Sequence, residues 1–448
     1  MKNNLKMMAA KTHLSQMMSL VIAANALIFL TLPAQAVTFN FTYNDDVTQE
    51  QKKAFEFAGI YWSQNLADDA SVNIHVDFAN SVQMPSGVLG GAIPAFMNNV
   101  SYSSLRNALN NDKTSTYDNT AVSNLSAGTS WNAVVRDPLS TNTSSISNST
   151  LSLTTANAKA LGLMSNNNSA LDGVILLNKL DNTNYSWATS EVINTVGNQQ
   201  FDMTSVAIHE IGHILGFVSS LDGVNANNYW DMNNRKKIFT PFDLFRYSSY
   251  SANSKVSDIS NGYDTYFSLD RGASSIGYLS TGTDKNSLKG DGFQGSHWKN
   301  YDTTIGVMTP ALRMGTYRDI DVRDKTVFDV IGWQTRNVSL SHSDMLSQAI
   351  SRSQSAVSIN RTADINNMFN QNRWGAASTT TTLNQTQDLA DYLAQQGFYQ
   401  QGMLWDSIPT DTTSVPEPAV TVGLISLLGL AGLKLKKFPR NHPNSIQH

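Results

Sequence analysis

The spacing of apolar residues near the start of the chain changes from helical to strand-like. Between Phe55 and Leu66, within residues 48–67, apolar side chains recur every three or four positions, which predicts an amphipathic helix facing a core. Residues 72–78 then carry an apolar side chain at every second position, which predicts a strand with one buried face. A helix followed directly by a strand favours a domain of the α/β or α+β class.

Regular and irregular stretches alternate through the middle of the chain. Residues 98–168 are dense in Ser, Thr and Asn, which predicts long surface insertions with short hairpins. The apolar run 171–177 predicts a buried strand that leads towards the next helix. A second irregular stretch covers residues 217–296 and is interrupted by an aromatic-rich segment. We interpret both irregular stretches as insertions into one domain rather than as domains of their own.

Helical patterns dominate the last part of the chain before its C-terminal tail. From Asp319 to Trp333, either Asp319 or Asp321 can cap a helix whose apolar side chains share one face, and Gly332 can end it. Three helix-like segments follow, at 343–356, 362–371 and 384–398. We assign residues 336–407 to a helical C-terminal accessory region.

Both ends of the chain carry signals of export. Residues 1–36 combine a basic start, an apolar run from Leu20 to Leu32 and a small-x-small cleavage site, which predicts a signal peptide; the run is short for a membrane anchor. A linker at 408–415 precedes a Pro-Glu-Pro box, fifteen apolar residues and four basic residues. Residues 416–440 resemble the PEP-CTERM sorting signal of Gram-negative bacteria. The resemblance implies exosortase-type processing, transient membrane association and an extracellular or cell-surface location; a plain single-pass anchor is the alternative.

Composition narrows the possible chemistry. The 448 residues are 41% hydrophobic and 15% charged, so a sizeable core is possible while the surface depends on Asn, Ser, Thr and Gln. The chain has no cysteine, which excludes disulfides, thiolate metal ligands and thiol nucleophiles. Without the seven basic residues of the two ends, residues 37–418 hold 24 basic and 35 acidic residues, a net charge of −11. This charge argues against nucleic acid as a partner.

The segment from His209 to His213 reads His-Glu-Ile-Gly-His. Two histidines four residues apart lie above one another on a helix, so both imidazoles can bind one metal ion. The adjacent Glu210 can take a proton from a water at that ion. We expect a Ser or Thr cap at the start of residues 204–208 and a helix end at Gly216. Neutral imidazoles and an open fourth position favour Zn²⁺.

A catalytic zinc site needs a third protein ligand. No glutamate lies between Glu210 and Glu417, which excludes a glutamate on a following helix. The position six residues after the second histidine is Ser219, a poor zinc ligand, and Asp222 lies nearby in a segment that favours a turn. The downstream histidines are His297, His342 and His442, of which the last two lie in the accessory region and the tail.

The surroundings of His297 resemble a known family of zinc proteases. A Ser-His-Trp segment contains His297, and a Gly-Val-Met-Thr-Pro segment follows with Met308. Together, residues 204–217 and 295–310 resemble the leishmanolysin family of metzincins, in which a long insertion delays the third histidine and a methionine turn follows it. The family is rich in disulfides, whereas this chain has no cysteine, so its disulfide architecture does not carry over.

The resemblance implies a role for each residue of these motifs. His209, His213 and His297 bind Zn²⁺, and Glu210 is the catalytic base. Met308 lies in the turn beneath the metal and does not bind it. The reaction implied is hydrolysis of internal peptide bonds in a protein or peptide substrate.

The fold expected for residues 37–335 is an α+β metzincin-like domain. It would have a twisted mixed sheet, a backing helix, an active-site helix and an irregular lower subdomain with long insertions. The function expected is that of a secreted zinc metalloendopeptidase, with Tyr247 as a candidate second electrophile. Two alternatives stay open: a non-catalytic zinc-containing surface or adhesion protein, and a metal-dependent amidase that acts on cell-wall peptides. Glu210 argues against the first, since structural zinc needs no general base.

Overall fold

The computed structural model describes residues 36–189, 195–222, 224, 229–231, 233, 238–299, 305–371, 382–384, 387–395 and 404–407. The strands are β1 (Thr38–Tyr43), β2 (Ser71–Ala79), β3 (Val88–Pro94), β4 (Phe96–Ser101), β5 (Trp131–Arg136), β6 (Thr143–Asn148), β7 (Thr150–Thr154), β8 (Gly173–Asn178), β9 (Ser186–Ala188), β10 (Gln200–Asp202), β11 (Arg246–Tyr247), β12 (Ser257–Asp258), β13 (Thr265–Phe267), β14 (Gly277–Leu279) and β15 (Leu404–Ser407). The helices are α1 (Gln49–Asn65), α2 (Tyr102–Asp112), α3 (Thr116–Asn124), α4 (Thr155–Ala160), α5 (Met203–Leu215), α6 (Ser249–Ala252), α7 (Val322–Ile331), α8 (His342–Ser355), α9 (Thr362–Gln371) and α10 (Leu389–Gln395).

The predicted export signals lie outside the described residues, apart from Ala36 at the end of the predicted signal peptide 1–36. The same holds for the whole of the linker 408–415 and of the predicted sorting signal 416–440. Within the part that is described, no helix is both long and apolar enough to cross a membrane.

The largest sheet is mixed, and its strands lie in the order β1-β2-β8-β3-β15. β1, β2 and β8 are parallel neighbours, whereas β3 runs antiparallel to β8, and β15 runs antiparallel to β3. The strands predicted at 72–78 and 171–177 are confirmed as β2 and β8. Smaller sheets and helices surround this one, so the α+β class is confirmed.

Apolar residues of β8 point alternately to the two faces of the main sheet. Ile175 and Leu177 join the main core, while Val174 and Leu176 join a second core on the opposite face. The second core is completed by residues of α9 and α10 and their connection: Ile365, Met368, Phe369, Leu383, Leu389, Ala390, Tyr392 and Leu393. Both faces are therefore covered, which explains why the segment is an unbroken apolar run.

Helix α1 packs on the face of the main sheet that carries the main core. It also holds α5, the helix with His209 and His213. It begins with a capping box formed by Thr48 and Gln51, and the residues predicted to face the core, including Phe55 and Trp62, are buried. The Trp62 Nε1–H donates a hydrogen bond to the Ile208 carbonyl in α5 at 2.9 Å. The prediction of a helix within 48–67 is confirmed, and α1 fixes the position of α5.

The prediction that residues 98–168 form irregular surface insertions is wrong in its larger part. This segment contains α2, α3, α4, the β5–β6 hairpin and β7, and its buried leucines join the main core. The Ser and Thr residues that suggested loops include helix caps: Ser101, Ser115 and Thr154 each accept a backbone N–H three residues later. Only the hairpin was expected.

The remaining segments largely follow the sequence predictions. In the described parts of residues 217–296 the regular elements are all short: the strands β11 to β14, the helix α6 and a 3₁₀-helix at Phe242–Phe245. Helix α7 begins after Asp321, whose carboxylate caps it, and ends at Gly332 with a left-handed φ of 111°. Helix α8 packs on α1 through Met345 and Ala349. Helices α9 and α10 lie within the two other predicted segments, although α10 is shorter than 384–398.

Candidate metal centre

Helix α5 owes its bounds to an aspartate and a glycine. The Asp202 carboxylate accepts the Ser205 backbone N–H at 2.8 Å and the Ser205 hydroxyl at 2.6 Å, so the cap is Asp202 rather than a Ser or Thr within 204–208. That predicted cap is wrong, because Ser205 lies inside the first turn and binds the true cap. Gly216 ends the helix with a φ of 122°, as predicted. Every residue of α5 is buried, so its side chains are held by packing on all sides.

The three predicted metal ligands come together. The Nε2 atoms of His209 and His213 lie 2.9 Å apart, as expected for imidazoles one helical turn apart. The Nε2 atom of His297 lies 3.2 Å from that of His209 and 3.3 Å from that of His213. All three side chains are buried. The predicted convergence of a helix and a distant loop on one point is confirmed.

The hydrogen-bond partners of the Nδ1 atoms fix the tautomer of each of the three imidazoles. Each Nδ1 faces a backbone carbonyl: that of Val307 for His209 and of Phe217 for His213, both at 2.7 Å, and that of Gln294 for His297 at 3.3 Å. A carbonyl only accepts hydrogen bonds, so each Nδ1 carries the proton. In a neutral ring the Nε2 atom is then an acceptor. The three Nε2 atoms lie within 3.3 Å of one another.

The environment favours the neutral form of His213 and His297. Burial lowers the pKa of His213 and that of His297 well below the usual value, and the neighbouring imidazole of His209 lowers both further. Lone pairs facing one another at such distances repel, and a cation bound between them removes the repulsion. The donor set therefore fits a metal ion, and the three-histidine group can hold one.

The spacing also fits the size of a first-row metal. Tetrahedral zinc with its usual Zn–N bond lengths holds imidazole nitrogens about 3.3 Å apart. The observed separations of 2.9 to 3.3 Å are close to this value.

No family model, curated protein or solved structure matches the chain. Geometry and donor chemistry therefore carry the functional interpretation.

Glu210 lies on α5 between the two helical ligands and is fully buried. It precedes His213 by three residues, a spacing that places two side chains on neighbouring parts of a helix surface. Its position is therefore compatible with the predicted role beside the metal. That role as a catalytic base stays a prediction.

Met308 packs directly against the helix that carries the ligands. It is fully buried, and a Cβ atom added at Gly212 would lie 2.5 Å from its sulfur. Gly212 lies next to His213, so the methionine and the helix approach closely because glycine has no side chain. The Trp298 backbone N–H donates to the Met308 carbonyl at 3.0 Å and joins this turn to the segment of the third ligand. The position agrees with that predicted for Met308, whose role stays a prediction.

The alternative ligand Asp222 has a different place. One carboxylate oxygen accepts the Ser296 backbone N–H at 3.0 Å, and the other accepts the Ser219 backbone N–H at 3.1 Å. Asp222 thus joins the segment after α5 to the residue before His297, and it is not part of the three-histidine group. The sequence showed an aspartate near the site but not its role as a brace.

Tyr247, the candidate second electrophile, lines a different part of the molecule. It borders a cavity of about 480 Å³ together with Tyr102, Trp131 and Arg271, and none of the three histidines lines this cavity. Burial raises the pKa of Tyr247 to about 12, while a hydrogen bond with Ser257 lowers it in part. The structure therefore gives no support to a role at the metal centre.

Sequence reasoning missed a buried arginine behind the third ligand. Arg246 is fully buried, and its guanidinium donates to the Gly295 carbonyl at 2.9 Å and to the Ser280 carbonyl. Burial lowers its pKa to about 10, and nearby aspartates partly offset this effect. The only available signal was a lone arginine within the aromatic-rich segment.

Proposed function

We propose that the protein is a secreted zinc-dependent metalloendopeptidase of the metzincin type. One observation carries the proposal: the Nε2 atoms of His209, His213 and His297 lie within 3.3 Å of one another, while each Nδ1 is turned to a backbone carbonyl. Ligating histidines in metalloenzymes have this arrangement, because a hydrogen bond at one nitrogen fixes the ring and makes the other a better ligand.

Zinc is the metal that the donor set favours. Three protein ligands with one open position are typical of catalytic zinc, whereas structural zinc has four protein ligands. Neutral imidazoles suit zinc, and the chain offers no thiolate to compete for it. When bound, zinc supplies a Lewis acid that lowers the pKa of water to near neutrality and polarises a substrate carbonyl.

Glu210 would move the proton in the reaction. Its carboxylate takes a proton from the attacking water and passes it to the departing amine, as expected of a general base that then acts as an acid. The helix holds Glu210 in place, because Asp202 caps its start and Trp62 hydrogen-bonds to its middle. Such a residue typically contributes about 10²- to 10⁴-fold in rate.

Peptide bonds are the proposed target because the motifs and the architecture agree. Residues 204–217 and 295–310 resemble the leishmanolysin family, and His297 lies with the helical histidines as that resemblance implies. A mixed sheet, the helix α1 packed on it and the helix α5 are compatible with the expected architecture, and the described residues between 217 and 299 hold only short elements. The predicted signal peptide places the activity outside the cytoplasm.

The test is the substitution Glu210→Gln in the full chain, assayed for casein hydrolysis and metal content. Glutamine keeps the shape of the side chain but cannot accept the proton. We expect hydrolysis to fall by about 10²-fold or more, with one zinc ion per chain retained. Glu50→Gln is the matched control, because Glu50 is an exposed glutamate on α1 whose contact is a surface ion pair with Lys53.

Three results would count against the proposal. A Glu210→Gln chain that hydrolyses casein like the wild type would refute the catalytic role. A wild-type chain that binds zinc but cleaves only cell-wall peptides would favour the amidase alternative. A wild-type chain that binds zinc and cleaves neither substrate would favour a non-catalytic surface protein.

A further inference from the structure

Asp324 is a fully buried carboxylate in the first turn of α7, outside the motifs that suggested the metal centre. Its Oδ2 atom accepts the Asp321 backbone N–H at 2.9 Å, which completes the capping box of the helix. Two further hydrogen bonds reach beyond the helix: Oδ2 accepts the Val307 backbone N–H, and Oδ1 accepts the Trp298 indole N–H, both at 2.8 Å. Capping alone requires neither of these two bonds.

Both additional bonds lead to metal ligands. Val307 donates its N–H to Asp324, and its carbonyl accepts the Nδ1–H of His209 at 2.7 Å. Trp298 directly follows His297 in the chain, and its backbone N–H donates to the Met308 carbonyl at 3.0 Å. One carboxylate thus binds the backbone N–H of the residue whose carbonyl orients a helical ligand, and also the indole beside the loop ligand. The third ligand, His213, is oriented by Phe217 just after its own helix.

Gly306 gives a second, independent indication that the methionine turn packs closely against Asp324. Gly306 has a φ of 39°, in the left-handed region that favours glycine. A Cβ atom at this position would lie 2.1 Å from the Asp324 Oδ2 atom. The backbone of the methionine turn therefore approaches the carboxylate as closely as glycine allows.

We propose that Asp324 is a positioning residue of the metal centre, which sets metal affinity by fixing the carbonyl partner of His209 and the indole next to His297. The proposal rests on the metal centre of the proposed function, but not on hydrolysis. Second partners of ligating histidines commonly change metal affinity by about 10- to 100-fold when removed. Asp324 holds groups next to the histidines rather than the histidines themselves, and it does so for His209 and His297 together.

The test measures Zn²⁺ affinity of the full chain by competition with a fluorescent chelator. In Asp324→Asn the new amide N–H₂ must face either the indole N–H or the backbone N–H groups, so one donor meets another donor. We expect affinity to fall by about 10- to 100-fold, with a changed visible spectrum of the Co²⁺-loaded chain. Trp298→Phe removes the indole N–H, and with it one of the two bonds, but keeps an aromatic side chain, and it should weaken Zn²⁺ binding less.

Asp321→Ala is the matched control at the same helix end. It removes the side-chain cap of α7, which binds the backbone N–H groups of Arg323 and Asp324, and leaves the bonds to Val307 and Trp298 in place. We expect a lower melting temperature with unchanged Zn²⁺ affinity and Co²⁺ spectrum.

Equal loss of affinity in Asp321→Ala and Asp324→Asn would overturn the proposal, because the effect would then be helix stability alone. Wild-type affinity in both Asp324→Asn and Trp298→Phe would overturn it too. If Asp324→Asn does not fold, Trp298→Phe decides the question by itself. A wild-type chain that binds zinc without hydrolysing casein would refute the proposed function and leave this test intact.

Discussion

The helix and the loop that meet at the metal centre hold their ligands by different means. His209 and His213 are placed by the backbone of α5, whose hydrogen bonds fix the spacing between them. His297 belongs to the ligand loop, residues 294–298, which has no regular structure of its own and is fixed by side chains from elsewhere: Asp222, Arg246 and Asp324. The backbone of the helix sets the spacing of its two ligands locally, whereas the position of the ligand on the loop depends on distant buried charges.

This difference shows where the metal centre is vulnerable. A helix tolerates the loss of one cap, because its other hydrogen bonds and its packing remain. The ligand loop depends on a few hydrogen bonds to charged groups, and each one lost removes a partner from a buried backbone or indole group. The loop half should therefore respond more strongly to single substitutions than the helix half.

The largest effect is expected for the loop ligand itself. His297→Ala removes one of three ligands, and a third of the roughly 10–16 kcal/mol typical of structural zinc corresponds to about 10²- to 10⁴-fold in affinity. Metal content after dialysis and titration with Zn²⁺ measure it. His342→Ala on α8, outside the three-histidine group, is the control. Unchanged zinc binding in His297→Ala would disprove convergence of helix and loop on one ion.

A smaller effect is expected when Asp222, which binds the ligand loop, is compared with Asp202, which caps α5. Asp222→Ala leaves the Ser296 and Ser219 backbone N–H groups without this acceptor, at a cost of about 2–4 kcal/mol. Asp202→Ala removes only the cap of α5, at a cost of about 1 kcal/mol. Urea unfolding of the two variants compares them directly. A larger loss for Asp202→Ala would reverse the comparison between loop and helix.

The smallest effect concerns a buried glutamate on α1 and depends on pH. Burial raises the pKa of Glu56 on α1 from 4.5 to about 7, while Tyr43 and Arg352 partly offset this shift. The folded chain then binds a proton that the unfolded chain has released, so the stability contribution is complete below pH 4.5 and is lost as the pH rises to 7. Glu56→Gln should add about 2 kcal/mol to the free energy of unfolding at pH 8.

The same variant should change little at pH 4, where Glu56 is protonated in both states. Unfolding free energies of wild type and Glu56→Gln across pH 4 to 8 give the measurement. A constant difference over this range would show that Glu56 has the same pKa in the folded and the unfolded chain, contrary to the raised pKa.

Much of the fold could be predicted because its signals are local. The helix at Gln49–Asn65, the strands β2 and β8 and the helix α7 follow from periodicity and end signals in neighbouring residues. Composition alone predicts the wrong structure for most of residues 98–168. Ser101, Ser115 and Thr154 are loop-like residues by type, yet each one caps a helix.

The metal ligands could be predicted because their residue types are rare and their spacing is specific. Their supports could not, since Asp222, Arg246 and Asp324 are ordinary charged residues until folding buries them. Nothing in the sequence distinguishes a buried aspartate that accepts backbone N–H groups from one on the surface. The start of α5 was misplaced for a related reason: three of the four residues 202–205 can cap a helix, and only the folded chain shows which one does.

The separation of 84 residues between His213 and His297 gives the proposed cation a mechanical role. A chain without cysteine cannot close such a loop by a disulfide. An ion shared by both ends ties them together and opposes a loop entropy of roughly 4 kcal/mol. Such an ion would be a cross-link that a chelator can remove, and its site forms only when folding brings the three histidines together.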